Sequence, residues 1–264
     1  MNKIHSKGKR FFAPTIAAGL MLAMAFTLNA CDGGGGGGGD DTPSSSSSGN
    51  GSLSSSSSGG GSLLPKCGGI EYNSDEKFCD ERDENIYKYV DINGQVWMAE
   101  NLNFEADGSR CYDDDTGGDS EGNCVKYGRL YNWNTAVDVC PSGWRLPSNE
   151  DWDKLFRFVD DITSTSIPYN SPTAGKYLKA TSGWDDYEGI SGNGTDAHGF
   201  SALPGGTVVG GNFVLVGRYG IWWSDSERDS DDHAYIWSMA YEEEKVRWNY
   251  DYKSALFSVR CLQD

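Results

Sequence analysis

A tract dominated by glycine and serine, residues 32–66, divides the chain into two unequal parts. Such a composition cannot bury enough apolar surface to form a core, so it predicts a flexible linker. All nine tryptophans lie beyond it, between Trp97 and Trp248. The folded part is therefore expected within residues 67–264, a length that suits one domain.

The segment before the linker has the pattern of an export signal. Four of the first ten residues are basic, and an apolar run follows from Phe11 to Ala30. The sequence Leu28-Asn29-Ala30-Cys31 is similar to a bacterial lipobox, in which the cysteine is acylated and becomes the new N-terminus. Residues 1–30 are thus predicted to be a lipoprotein signal peptide, and residues 31–66 the lipidated Cys31 with its linker. Ordinary signal cleavage and an uncleaved membrane anchor remain alternatives.

The charge of the chain argues against one class of partner. Loss of the four basic residues among 1–30 would take the formal net charge from −17 to −21. A surface of this sign repels phosphate backbones, so nucleic acid is not an expected partner.

Seven cysteines are present, and Cys31 accounts for the odd one. An even set in an exported chain is typical of disulfides, although its connectivity cannot be deduced from spacing. We therefore expect three disulfides among six cysteines: Cys67, Cys79, Cys111, Cys124, Cys140 and Cys261.

Local patterns predict a mixed α+β domain. Asn93-Gly94 between two alternating runs, 86–90 and 95–98, indicates a hairpin. Residues 128–139 are predicted to be helical. A second helix is expected after Ser148, since Ser148 and Asp151 have capping-box spacing and apolar residues recur at i, i+3, i+4 and i+7.

The rest of the chain is expected to be irregular and then rich in strands. Residues 160–206 are rich in Gly, Ser, Asp and Asn, with a short helix predicted near Thr173–Lys179. Five later segments favour strands: Phe213–Val216, Tyr219–Trp223, His233–Tyr241, Lys245–Asn249 and Ala255–Leu262.

Several long motifs resemble one known family. They are YKYVDINGQVWMAENLN (87–103), YGRLYNWNTAVDVCPSGWRLPSNEDWDKL (127–155), GNGTDAHGFSALPGG (192–206), GIWWSDSE (220–227) and FSVRCL (257–262). They are similar to the Fibrobacter major paralogous domain, a family of exported proteins that are often lipoproteins with Ser- or Gly-rich linkers. The resemblance covers about residues 86–263.

A weaker likeness concerns the architecture. WRLPSNEDW and SVRC are similar to segments of formylglycine-generating-enzyme-type domains, which share the C-type lectin-like fold. The resemblance implies two helices, a long irregular loop region and an antiparallel sheet. It also implies three pairings: Cys140 with Cys261, Cys111 with Cys124, and Cys67 with Cys79.

The sequence offers little support for catalysis. Beyond the signal segment the histidines are His198 and His233, and neither has a partner at zinc-site spacing. Formylglycine-generating chemistry depends on free cysteines, whereas Cys261 has an expected disulfide partner. We therefore predict no catalytic residues and no enzymatic activity.

No cofactor is predicted, and calcium is the one metal ion that two acidic stretches could hold. Asp113–Asp119 resembles the start of an oxygen-ligand loop, but an EF-like count places Cys124 where a Glu is required. Asp225–Asp232 is the second acidic stretch. Solvated acidic loops are the alternative.

Aromatic residues in the strand-rich half are candidates for ligand binding. Trp222 and Trp223 are adjacent, so in a strand one of them is expected to point away from the core. The candidate ligand-binding residues are Trp222, Trp223, Trp248, Asn249 and Asp251. The predicted function is surface recognition of a glycan or cell-surface ligand by a lipoprotein at the outer membrane or cell surface. The alternatives are a formylglycine-generating-type enzyme and a purely structural surface protein.

Overall fold

The computed structural model describes residues 64–112, 120–163, 170–228 and 232–264. The predicted signal segment, Cys31 and nearly all of the linker lie outside these residues, as does the acidic stretch Asp113–Asp119. Among the described residues, no helix combines the length and apolar character needed to cross a membrane.

Four helices and sixteen strands, numbered in chain order, make up the described part of the chain. The helices are α1 Ser120–Tyr127, α2 Trp133–Ala136, α3 Asn149–Val159 and α4 Ala174–Leu178. The strands are β1 Lys66–Cys67, β2 Ile70–Glu71, β3 Lys77–Asp80, β4 Asn85–Ile92, β5 Gln95–Met98, β6 Leu130–Tyr131, β7 Trp144–Arg145, β8 Asp186–Tyr187, β9 Ile190–Ser191, β10 Thr207–Val209, β11 Asn212–Val214, β12 Tyr219–Glu227, β13 His233–Ala240, β14 Val246–Tyr252, β15 Phe257–Ser258 and β16 Leu262–Gln263. The mixture confirms the α+β class.

Two five-stranded sheets organise the domain, with orders β14-β13-β12-β15-β6 and β3-β4-β5-β16-β7. The C-terminal segment contributes to both. β15 joins the first sheet beside β12, and β16 lies between β5 and β7 in the second. The predicted single strand Ala255–Leu262 is therefore wrong in detail, because the chain changes sheets between Ser258 and Leu262.

The predicted hairpin and the second helix are confirmed. Asn93 and Gly94 have φ values of 55° and 76°, and they connect β4 to β5. In α3 the Ser148 side chain accepts from the Asp151 N–H, and the Asp151 side chain accepts from the Ser148 N–H, which completes a capping box.

The helix predicted over residues 128–139 is largely wrong. Leu130 and Tyr131 form β6 instead, because they pair with Ser258 and Phe257 across the sheet. Only Trp133–Ala136 is helical. Long-range strand pairing has thus overridden the local helical pattern. The short helix near Thr173–Lys179 is confirmed as α4.

The first sheet is buried on both faces around the middle of β12. Trp222 packs with Trp152 of α3, whereas Trp223 packs with Phe257 in a second hydrophobic cluster. Both tryptophans are 0% exposed. The expectation that one of them points away from the core is therefore wrong, since alternation decides which face a residue occupies but not whether that face is covered.

Three disulfides connect the cysteines in the pairs that the lectin-like resemblance implied. They are Cys67–Cys79, Cys111–Cys124 and Cys140–Cys261. The last spans 121 residues and connects the segment after α2 to the strand-rich C-terminal segment.

Candidate recognition site

Five ring side chains form a strip on one face of the β13–β14 hairpin. Cross-strand pairing places His233 opposite Tyr252, Tyr235 opposite Tyr250, and Trp237 opposite Trp248. Trp237 is covered by Phe156 of α3, with ring centroids 4.9 Å apart. α3 covers only this end of the face. We name the remaining ring residues on the same face the aromatic strip: His233, Tyr235, Trp248, Tyr250 and Tyr252.

The rings of the strip contact one another. The centroid of His233 lies 4.3 Å from that of Tyr252 and 5.7 Å from that of Tyr250. Tyr235 and Trp248 are 5.9 Å apart. The Arg228 guanidinium lies 3.6 Å from the Tyr250 ring centroid. These contacts orient the rings, yet Tyr250 and Tyr252 remain 36% and 59% exposed.

A groove of about 730 Å³ adjoins the strip at Tyr252. One wall comes from the start of α2, and the other comes from the end of β14 and the residues after it. The lining residues are Asn132, Asn134, Asp232, Tyr252, Lys253, Ser254 and Leu256.

Local hydrogen bonds explain the shape of the groove. Asn132 caps α2, since its Oδ1 accepts from the Thr135 N–H at 3.0 Å. The Lys253 N–H donates to the Asp232 carbonyl at 2.8 Å. The Lys253 Nζ lies 2.8 Å from Glu227 Oε2 and 4.4 Å from the Trp133 ring centroid. Amide, hydroxyl and carboxylate groups thus face a cleft beside exposed rings.

This arrangement suits stacking and hydrogen bonding. Aromatic faces contact apolar C–H surfaces, and Asn, Asp and Ser side chains exchange hydrogen bonds with hydroxyl groups. Of the two histidines considered for catalysis, His198 packs edge-to-face on Phe158 at 5.7 Å, and His233 belongs to the strip. All six cysteines of the domain are in disulfides.

The structure separates the residues that the sequence grouped as a ligand site. Trp248 lies on the strip, whereas Trp222 and Trp223 are in the core. Asn249 and Asp251 occupy the alternate positions of β14, opposite Ile236 and Ala234. Their Oδ1 atoms accept hydrogen bonds from the N–H groups of the next residues, Tyr250 and Tyr252.

Other members of the strip were absent from that predicted group. Tyr235, Tyr250, Tyr252 and His233 come together only through the pairing of β13 with β14. The sequence does hold one signal for them: Trp248, Tyr250 and Tyr252 alternate and must share a face if the segment is a strand.

Of the two acidic stretches considered for calcium, only residues 225–228 and 232 of the second lie among the described residues. Asp225 Oδ1 accepts a hydrogen bond from the Ser226 hydroxyl at 3.2 Å, and burial raises the pKa of Asp225. Among the described residues, no group of three or more His, Cys, Asp or Glu side chains is arranged to hold a metal ion.

Comparison with known proteins identifies the family of the domain. No curated protein and no solved structure matches the chain. One family model, the Fibrobacter succinogenes major domain, matches residues 90–263, which include the disulfide Cys140–Cys261, the strip and the groove. That match agrees with the resemblance seen in the sequence motifs, and the chain therefore belongs to the Fibrobacter succinogenes major domain family.

Proposed function

We propose that this protein is an exported, lipid-anchored recognition protein whose domain binds a neutral saccharide chain without cleaving it. The observation that carries the proposal is the exposed aromatic strip beside a polar groove. Pyranose rings present apolar C–H faces and hydroxyl edges, so they match stacked rings flanked by Asn, Asp and Ser.

The charge of the protein favours a neutral ligand over an anionic one. The formal net charge is −17 for the whole chain. Uronate-rich or sulfated polysaccharides would meet repulsion from such a surface, whereas neutral glycans would not. The groove lining holds one acidic and one basic side chain, Asp232 and Lys253, so the preference for a neutral ligand comes from the charge of the whole chain.

The fold supports a lectin-like architecture by analogy. The N-terminal strand pair β4–β5 lies beside the C-terminal β16, and a long stretch with only short elements precedes the last three long strands. This layout agrees with the C-type lectin-like arrangement. Fold alone does not define function, so the proposal depends on the strip and groove.

The anchor is the second part of the proposal. Acylation of Cys31 would hold the protein at the outer membrane or cell surface, and the Gly/Ser tract would give the domain a reach of roughly 30 Å as a coil. We expect labelled fatty acid to be incorporated into the natural chain and not into Cys31→Ser. A wild-type chain without label would contradict the anchor and leave the binding proposal intact.

Binding can be tested with the full chain on a panel of neutral and anionic polysaccharides, each with calcium and with a chelator. We expect retention on at least one neutral polysaccharide in both conditions and no release of soluble sugar. Tyr250→Ala with Tyr252→Ala should weaken that binding at least ~10-fold, as loss of central aromatic contacts does.

Tyr187→Ala is the matched control, because Tyr187 is 41% exposed and lies in a separate hairpin, β8–β9. It should bind as the wild type does. Absence of binding to every polysaccharide, or equal loss in both variants, would contradict the proposal. Dependence of binding on calcium would indicate a ligand-bridging ion instead of the strip alone.

A non-enzymatic role also predicts the state of the thiols. The denatured, unreduced natural protein should give no reaction with a thiol reagent, because six cysteines are paired and Cys31 is acylated. A free cysteine within residues 67–264 would favour the formylglycine-generating-type alternative.

A further inference from the structure

A second cavity, of about 260 Å³, lies between β4, the segment after β5 and the end of α1. It shares no residue with the aromatic strip or with the groove beside it, and every residue that lines it is in the described part of the chain. Gly128 directly follows α1 with a φ of 75°, and a side chain there would come within 2.7 Å of Asn101 Cβ. Asn101 Nδ2 donates to the Tyr127 carbonyl at 2.8 Å. These contacts fix the end of α1 against the segment after β5, so the cavity is preformed.

The side-chain amide of Asn103 lines this cavity and has no hydrogen-bond partner among the described residues. Its Oδ1 is buried and unpaired, and its Nδ2 donates to none of them either. The backbone N–H of Asn103 does have a partner, since it donates to Tyr87 Oη at 3.0 Å. A buried unpaired oxygen is unfavourable, and the terminal torsion of an Asn side chain is soft. Rotation of the amide towards the cavity would therefore let a ligand satisfy both of its atoms.

The rest of the lining favours a neutral ligand with an apolar face. Ile86 and Val125 line the cavity and are 36% and 77% exposed, so they present aliphatic surface. Glu100 and Lys126 contribute opposite charges to the lining. The Glu100 carboxylate accepts from the Lys88 N–H at 2.9 Å and has further lone pairs for a hydroxyl group.

We propose that this cavity is a second saccharide site, which binds one pyranose ring through two neighbouring hydroxyl groups at Asn103. A side-chain amide has an acceptor and a donor side by side, so one hydroxyl can donate to Oδ1 while its neighbour accepts from Nδ2. The C–H face of the ring would lie against Ile86 and Val125. The volume is below the roughly 300–1,000 Å³ of pockets that take drug-sized ligands, so it suits a single ring. The inference does not depend on saccharide binding by the aromatic strip.

The test uses the full chain in a detergent without a sugar headgroup. Saturation-transfer NMR is recorded with the methyl glycosides of glucose, mannose and galactose, and the dissociation constants come from titrations. We expect at least one glycoside to receive saturation from the protein. Cyclohexane-1,2-diol, which has neighbouring hydroxyl groups, should compete with that glycoside, whereas cyclohexane-1,3-diol should not.

Two variants place the bound glycoside in the cavity. Asn103→Ala should weaken binding roughly tenfold or more, as loss of two net hydrogen bonds predicts. Val125→Trp should weaken it similarly by filling the cavity from an exposed position, and it serves as the test if Asn103→Ala fails to fold. Ile190→Trp is the matched control, because Ile190 is 72% exposed and lies on β9, outside the cavity lining. It should bind as the wild type does.

The strip variant separates this site from the one proposed above. Tyr250→Ala with Tyr252→Ala should bind the glycoside with unchanged affinity. If that variant loses the glycoside while Asn103→Ala retains it, the ring binds at the strip and the proposal is overturned. Absence of transfer to every glycoside, equal competition by the two diols, or full binding in both cavity variants would also overturn it.

Discussion

Arg260 and Asn101 form two hydrogen bonds inside the core, with Asn101 Oδ1 accepting from the guanidinium Nη2 at 2.8 Å and from Nε at 3.1 Å. Arg260 is 0% exposed and Asn101 is 5% exposed. Trp222 Nε1 donates to the same oxygen at 2.9 Å. Among the described residues Arg260 has no ion pair with a carboxylate, and its remaining donors reach the carbonyls of Met98, Phe200 and Ser201.

Asn101→Ala should therefore be strongly destabilising. It would leave a buried cation and the Trp222 N–H without their shared acceptor, which costs about 3–5 kcal/mol of the free energy of unfolding. Urea unfolding of the oxidised protein measures this cost. Asn103→Ala is the control, because the buried Asn103 Oδ1 has no hydrogen-bond partner within the described part of the chain, and it should cost under ~1 kcal/mol. Similar losses in the two variants would show that Arg260 does not depend on Asn101.

The three disulfides should differ in their contribution to stability. Cys140–Cys261 spans 121 residues, whereas Cys111–Cys124 spans 13. In the chain-entropy model a loop near 100 residues stabilises by about 4.7 kcal/mol and one near 15 by about 3. Paired Cys→Ser variants should thus differ by roughly 2 kcal/mol in urea unfolding. A larger loss from the short loop would count against an entropic origin.

Lys179 should make stability depend on pH. Burial lowers its pKa to about 8 from 10.5, although its Nζ donates to the carbonyls of Ala240 and Glu243. Between these two values the unfolded chain binds more protons than the folded one, so stability rises with pH, by at most about 1.4 kcal/mol per unit. Below pH 8 both states are protonated and this contribution has no slope.

Lys179→Met should remove that rise between pH 8 and 10, as followed by urea midpoints at several pH values. Lys176→Met is the control within α4, the helix that Lys179 directly follows, since the Lys176 side chain is 43% exposed and pairs with Glu244. It should keep the slope. If stability still rises with pH between 8 and 10 in Lys179→Met, a group other than Lys179 causes the pH dependence.

Truncation of Trp223 should cost much more stability than truncation of Tyr252. Trp223 is fully buried and its Nε1 donates to the Tyr131 carbonyl at 2.7 Å, so Trp223→Ala should cost about 3–5 kcal/mol. Tyr252→Ala should cost less than ~1 kcal/mol, because the ring is 59% exposed. Thermal unfolding distinguishes the two. A large loss of stability in Tyr252→Ala would show that Tyr252 supports the fold, which would contradict its assignment to an exposed binding strip.

Short-range patterns predicted those parts of the fold that short-range physics determines. The capping box at Ser148 and the Asn93-Gly94 turn act within a few residues, and both are confirmed. Residues 128–139 failed as a helix because Phe257 and Ser258, far along the chain, pair with Tyr131 and Leu130. No local pattern contains that information.

The candidate site was only partly predictable for a similar reason. Alternation placed Trp222 and Trp223 on opposite faces correctly, yet it could not reveal that α3 covers one face and a second hydrophobic cluster covers the other. Trp248 was identified, whereas its neighbours on β13 depend on the register of the hairpin. The cysteine pairing came from the family resemblance and not from spacing.

The position of β16 constrains when the chain can fold. Leu262 pairs with both Trp97 and Arg145, so an inner strand of the second sheet comes from a segment that lies far along the chain from both of its partners. Without Leu262, β5 and β7 have unfilled edges. The second sheet therefore cannot be completed by local pairing, and it depends on long-range contacts of the kind that form slowly during folding.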